Sequence, residues 1–142
     1  MATSKATAQW EGTLKTGKGT MKPAHASDVP FTVGTRFEGQ PGSNPEEMIG
    51  AALAGCFSMA LSLGLEQAGA TPKAIRTSAN VTVERKEDGF SITGIELTTE
   101  VEASGIDPNK FKEVAEATKK GCPVSKALAA VPSLKLNASL KS

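Results

Sequence analysis

Tyrosine is absent from this chain, which has one tryptophan, one histidine and two cysteines. So few aromatic rings argue against a stacking surface for nucleic-acid bases. No run of like charge reaches five residues, and sixteen basic residues against fifteen acidic ones leave a net charge of +1. That balance excludes a basic arm for nucleic acid and a patch for anionic membranes. The lone histidine, His25, has no cluster of partners, and no Cys/His/Asp/Glu spacing reads as a metal site. Gly17-Lys18-Gly19 lacks the later glycines of a phosphate-binding loop. Met1 to Glu11 holds no apolar core of signal-peptide length. The expected compartment is therefore the cytoplasm, where thiols stay reduced and the Asn137-Ala138-Ser139 sequon carries no glycan.

What is present suits one domain spanning residues 1–142. Hydrophobic residues make up 39% of the chain and charged residues 22%, an ordinary balance for folding around a core. One run stands out: Met48 to Leu65, eighteen residues without a charge. That is the lower limit for a membrane span. The run is rich in Gly, Ala and Ser, so it transfers weakly into lipid, and a buried core helix is the expected reading.

Punctuation residues set the element order. Ala8, Trp10 and Gly12 alternate with polar residues, Thr16-Gly17 marks a turn, and Phe31, Val33 and Thr35 alternate toward Arg36, so this stretch reads as strands. Asn44, Pro45 and Glu47 form a helix start of the capping-box kind. That helix runs to about Gln67, where Gly69 and Pro72 stop it. Being apolar nearly all round, it is expected to be central and buried. Ala79, Val81 and Val83 begin a hairpin that turns at Asp88-Gly89. The alternation slips phase at Gly94, which predicts a β-bulge. Asp107-Pro108 opens a second helix ending at Gly121, Cys122-Pro123 opens a short third one to about Ala130, and Leu134 to Leu140 alternate as a last strand. The class is α+β, with mixed or antiparallel sheets packed around a central helix.

Two cysteines carry the candidate chemistry. Cys122 precedes Pro123 at a predicted helix start, where backbone N–H groups favour a thiolate; a merely structural cap explains the same pattern. Cys56 lies mid-helix among Ala51, Ala52, Ala54 and Gly55, where burial raises a thiol's pKa. An ordinary thiol is only about 3% ionised at pH 7. Bringing Cys56 to a pKa near 6 takes about 3.4 kcal/mol of preferential stabilisation. The guanidinium of Arg36 is the candidate source. The small residues around Cys56 either let another element pack closely or leave room for a substrate. Glu47 occupies the capping position, which leaves Glu46 the freer carboxylate. Met48, Ile49, Phe57 and Met59 either line a pocket for an alkyl chain or belong to the core. On the residues alone, Cys122 ranks as the more reactive sulfur.

The stretch FTVGTRFEGQPGSNPEEMIGAALAGCF (Phe31 to Phe57), with FSMALSLGLEQAGATP, GCPVSKAL, the early AQWEG and the final LKS, closely resembles the osmotically inducible protein C / organic hydroperoxide resistance family. Gly55 departs from the alanine often found there. The resemblance implies an OsmC-like fold in an intertwined homodimer with interfacial sites. It also implies a thiol peroxidase for organic hydroperoxides, less active on hydrogen peroxide. Cys56 would be the peroxidatic thiolate and Cys122 the resolving thiol, with an intramolecular disulfide between them. Arg36 would hold the thiolate and the peroxide, and Glu46 would orient Arg36. A dithiol such as dihydrolipoamide would be the reductant, with no cofactor and no metal. A non-enzymatic redox sensor and a small-ligand-binding dimer are the alternatives.

One consequence is geometric. Ten residues of straight helix rise about 15 Å, too far for one arginine to serve both Glu46 and Cys56. Either Glu46 lies off the helix axis, or the site combines residues from two chains.

Overall fold

A computed structural model describes residues 1–141. Two compact units divide the chain, Met1–Met48 and the residues from Ile49 onward.

The first unit holds an antiparallel sheet of β1 (Ala6–Glu11), β2 (Lys18–Pro23) and β3 (Val29–Phe31), in that order. Trp10 lies opposite Gly19, and so does Phe31 from the other side. Their rings sit 5.6 Å apart. A Cβ at Gly19 would come within 2.7 Å of both rings, so only glycine lets the two aromatics close over the strand. Every residue of β1 is exposed.

The alternation at Phe31, Val33 and Thr35 does not continue as a strand. Thr32 and Thr35 form a reciprocal capping box, and the chain turns into a short helix, α1 (Val33–Phe37). Paired threonine hydroxyls satisfy the first orphan N–H groups, and this local bonding overrides the strand pattern. Arg36 therefore stands on a helix, not at a strand end.

The long helix α2 (Pro45–Gln67) starts where the cap pattern predicts. Asn44 Oδ1 accepts from the Glu47 N–H at 2.8 Å. The reciprocal half differs: the Glu47 carboxylate takes the Ser43 hydroxyl.

In the second unit, β4 (Thr71–Lys86) and β5 (Gly89–Ser104) form a long antiparallel hairpin, and β6 (Ser133–Lys141) runs parallel on the far side of β5. The register slips between Thr82 and Val83, opposite Gly94 and Ile92, which is the predicted bulge. A second slip lies between Pro72 and Ala74. The helix α3 (Pro108–Gly121) is capped by Asp107. Cys122 ends it and caps α4 (Pro123–Ala127), which stops three residues short of the expected end.

The core joins Leu53, Phe57, Leu61 and Leu65 of α2 to Ile95, Leu97 and Val101 of β5 and Phe111 and Ala115 of α3. The α2 residues recur every fourth position, one stripe of a helix. Two glycines allow close packing: a Cβ at Gly64 would meet Val114 at 2.9 Å, and one at Gly50 would meet Val81 at 3.3 Å. A row of hydroxyls adds direction. Ser58 donates to Thr77 at 2.7 Å, and Thr77 bonds to the fully buried Thr99 at 2.9 Å. These bonds hold α2 at one rotation over the sheet, because apolar contact alone is not directional.

Within one chain, α2 packs into the core along one stripe and leaves its other apolar face open. Only 28% of its most apolar stretch is buried, although length and composition alone would suit a membrane span. Met59 and Leu63 are 75% and 56% exposed. Leu61→Ala is expected to cost about 2–5 kcal/mol in denaturant unfolding, from lost transfer energy plus the cavity left behind.

Candidate active site

Two constellations hold the candidate residues. The first is a partly buried ion pair. Arg36, on α1, donates to the Glu46 carboxylate through Nη2 at 2.6 Å and through Nε at 3.1 and 3.2 Å. This fork-to-carboxylate arrangement fixes the guanidinium plane as well as its position. The Glu46 side chain is 7% exposed and that of Arg36 is 35%, so one edge of the cation stays open. Phe37 lies under the same guanidinium, 4.9 Å from ring centroid to Cζ. Asn44 Nδ2 donates to the Thr35 carbonyl at 3.2 Å, tying α1 to the start of α2. The Glu47 carboxylate bonds to Ser43 instead of closing the capping box, and Glu46, expected to be the freer carboxylate, is the one bound to Arg36. It sits in the first turn of a continuous helix, which removes the option that it lies off the axis.

The second constellation is the thiol pair. Both cysteines are free. Cys56 packs against the core cluster that includes Cys122, and the Cys122 side chain and the Val124 N–H lie near enough to its sulfur to shift its ionisation. Residues 66 positions apart are thus in reach of each other. They meet because α4 begins at Cys122 and its first turn lies against the middle of α2. Burial pushes the Cys56 thiol above its ordinary range; the Val124 N–H pulls it down, and the Cys122 side chain and charge push it up again. None of these influences is a positive charge, so the second unit supplies no cation to ionise Cys56.

Cys122 is 2% exposed and Cys56 is half-buried. Ser125 was not singled out among the sequence candidates, yet its hydroxyl lies 3.0 Å from the Cys122 sulfur and its N–H donates to that sulfur at 3.4 Å. Its position three residues after a capping cysteine was the available signal. Gly55, beside Cys56, has open space around it, while Gly50 and Gly64 serve close packing; both readings of the small residues therefore apply, at different positions. Phe57 is sealed in the core while Met59 is exposed, and Met48 and Ile49 are half-buried. Within one chain, Phe57 and Met59 do not face the same space. Among the described residues, no group of three or more His, Cys, Asp or Glu is placed to hold a metal ion.

A hairpin sheet backed by an apolar helix, with two thiols meeting across it, defines an α+β thiol-redox protein. Comparison with known proteins narrows the class. The chain belongs to the OsmC-like protein family, which matches residues 37–137. It is 49% identical over 128 residues to Peroxiredoxin OsmC of Escherichia coli (strain K12), covering 89% of this chain and 90% of that one. The organic hydroperoxide resistance protein OhrB of Bacillus subtilis is 34% identical over 91 residues, 63% of this chain and 65% of that one. The OhrB crystal structure matches with a TM-score of 0.69 at 25% identity, over 99% of this chain and 98% of that one. An organic hydroperoxide resistance protein from Elizabethkingia anophelis shares the fold, with a TM-score of 0.77 at 23% identity over 99% and 98% of the two chains.

Proposed function

We infer that this chain is a cysteine-based peroxidase that reduces organic hydroperoxides, and hydrogen peroxide less well. The observation that carries this reading is the meeting of Cys56 with Cys122 in a chain 49% identical to a peroxiredoxin. The Cys56 thiolate attacks the distal peroxide oxygen. The O–O bond breaks, the alcohol leaves after taking a proton, and Cys56 becomes a sulfenic acid. Cys122 then attacks that sulfur, water leaves, and a disulfide closes. A dithiol of the dihydrolipoamide kind returns both sulfurs to thiols, which places the cycle in the reducing cytoplasm.

Arg36 is the charge that ionises Cys56 in this reading, and Glu46 holds Arg36 for the task. Because Glu46 and Cys56 share one straight helix, the reading puts Arg36 of one chain beside Cys56 of a second copy. Two features support a homodimer. The strand β1 is exposed along its whole length, and α2 presents Ala52, Gly55, Met59 and Leu63 to solvent, an apolar stripe with helical spacing. Residues 1–142 then act as one intertwined domain. The half-buried Met48 and Ile49 and the exposed Met59 supply apolar contact for an alkyl chain, while Phe57 stays in the core.

Steady-state consumption of cumene hydroperoxide with dihydrolipoamide tests the function. Many equivalents should be consumed per chain, faster than with hydrogen peroxide. Consumption that halts near one equivalent would mean a redox sensor instead.

A further inference from the structure

We propose that Ser125 sets the direction of disulfide reduction: it holds the Cys122 sulfur as the departing group, so the reductant attacks Cys56. This rests on the two-thiol reading above and adds which sulfur is struck and why.

Two independent observations point the same way. The first is access. Cys122 is 2% exposed in the chain itself, and association with another copy only lowers that figure. Cys56 is half-buried, and a peroxide must reach it in any case. An incoming thiol that finds one sulfur therefore finds Cys56.

The second is the fate of the departing sulfur. Thiol–disulfide exchange runs faster when the leaving sulfur is the better-stabilised thiolate. Cys122 meets two groups of one residue: the Ser125 hydroxyl at 3.0 Å, where either atom can donate, and the Ser125 N–H, which donates at 3.4 Å. Ser125 is 5% exposed, and the Cys122 sulfur is the partner of its hydroxyl among the described residues. Against a disulfide sulfur that hydroxyl makes a weak bond, and against a thiolate a strong, charge-assisted one. The gain appears as the S–S bond breaks. At Cys56 only the nearby Val124 N–H favours the thiolate, and burial works against its charge.

The step balances as follows. One thiol of the dithiol loses its proton to water, and its sulfur bonds to Cys56 Sγ. The Cys56–Cys122 bond breaks, and its electron pair leaves with Cys122, facing the Ser125 hydroxyl. The second thiol of the reductant loses its proton to water and attacks the reductant's first sulfur; the bond from that sulfur to Cys56 breaks, a cyclic disulfide closes and the Cys56 thiolate leaves. Two electrons pass from the dithiol to the protein, and Cys122 regains its proton from solvent.

The test starts from protein oxidised with diamide, so it requires no peroxide turnover and its failure is separable from failure of the peroxidase reading. The oxidised protein is treated briefly with the monothiol 2-mercaptoethanesulfonate, quenched with acid and labelled with N-ethylmaleimide. Peptide mass spectrometry should place the monothiol on Cys56 and the maleimide on Cys122, with the opposite pattern at least about tenfold rarer. An even split, monothiol mainly on Cys122, or no disulfide with diamide would overturn the proposal. Ser125→Ala should slow the exchange about tenfold and erode the partition, while Ser125→Thr, which keeps the hydroxyl, should restore both. The partition is a readout that mere loosening of α4 would not restore through a hydroxyl. If Ser125→Ala keeps the wild-type rate and partition, Ser125 has no such role. If it fails to fold, the wild-type labelling still decides which sulfur is struck, and Ser125→Thr still decides the hydroxyl's part: a wild-type partition supports it, and a lost partition in folded protein overturns it.

Discussion

Cys56→Ser is expected to reduce peroxide consumption to the background of the dithiol alone, a loss of at least about a thousandfold. The hydroxyl that replaces the thiol is not ionised near neutral pH and is a poor nucleophile toward a peroxide oxygen. Cys122→Ser should behave differently. Its Cys56 still meets the peroxide, so one equivalent is consumed and a sulfenic acid remains, without a disulfide to protect it from further oxidation. Dimedone followed by peptide mass spectrometry should mark Cys56 in Cys122→Ser protein and nothing in Cys56→Ser protein. Dimedone on Cys122 with Cys56→Ser still active would exchange the two roles. That outcome is the one local reasoning favours, because Cys122 caps a helix and Cys56 does not.

Arg36→Ala carries the second large effect. Burial holds the Cys56 thiol above its usual range, and its neighbour Cys122 adds to the shift. Without a cation, the thiolate fraction at pH 7 then falls below the roughly 3% of an ordinary thiol. Every unit by which the pKa rises costs about tenfold in reactive thiolate. The rate of Arg36→Ala protein at pH 7 is therefore expected to fall about a hundredfold. It should climb steadily as pH rises past the ordinary thiol range, because the deprotonated form reacts. The wild-type rate should instead level off at a lower pH.

Glu46→Ala leaves the guanidinium charged but unheld, and should lose about tenfold or less. Stopped-flow sulfenate formation on both variants checks the order, and a larger loss in Glu46→Ala would count against this arrangement. Arg36→Ala also strands a carboxylate that is 7% exposed, which destabilises by about 3–5 kcal/mol, so the fold of this variant must be verified by circular dichroism. Arg36→Lys keeps the charge and loses the fork. Coexpressing Arg36→Ala and Cys56→Ser chains tests whether the site is shared between copies. In a random mix, about a quarter of wild-type activity should return if each site takes Arg36 from one chain and Cys56 from the other. If both groups come from the same chain, none returns.

Local signals in the sequence carried much of the architecture. The Asn44 and Asp107 caps, the bulge at Gly94, the last strand and the start of α4 at Cys122 all lie where short-range patterning put them. Caps and bulges are legible because their chemistry is contained within a few consecutive residues. Local reading failed at Thr32, where a strand-like alternation hid a capping box of two hydroxyls. Local surroundings named Cys56, Cys122 and Arg36 as candidates, and only the resemblance ranked Cys56 above Cys122.

The chain by itself determined the element order, the candidate thiols and the separation of Glu46 from Cys56 along one helix, since each follows from covalent spacing or from bonds between near neighbours. Tertiary structure decided the rest. It brought Cys122 and Val124 near the Cys56 sulfur, folded Arg36 onto Glu46 and left one face of α2 uncovered. Those facts depend on contacts between residues distant in sequence, or on the pairing of particular side chains, and neither composition nor periodicity encodes such contacts until the chain has packed.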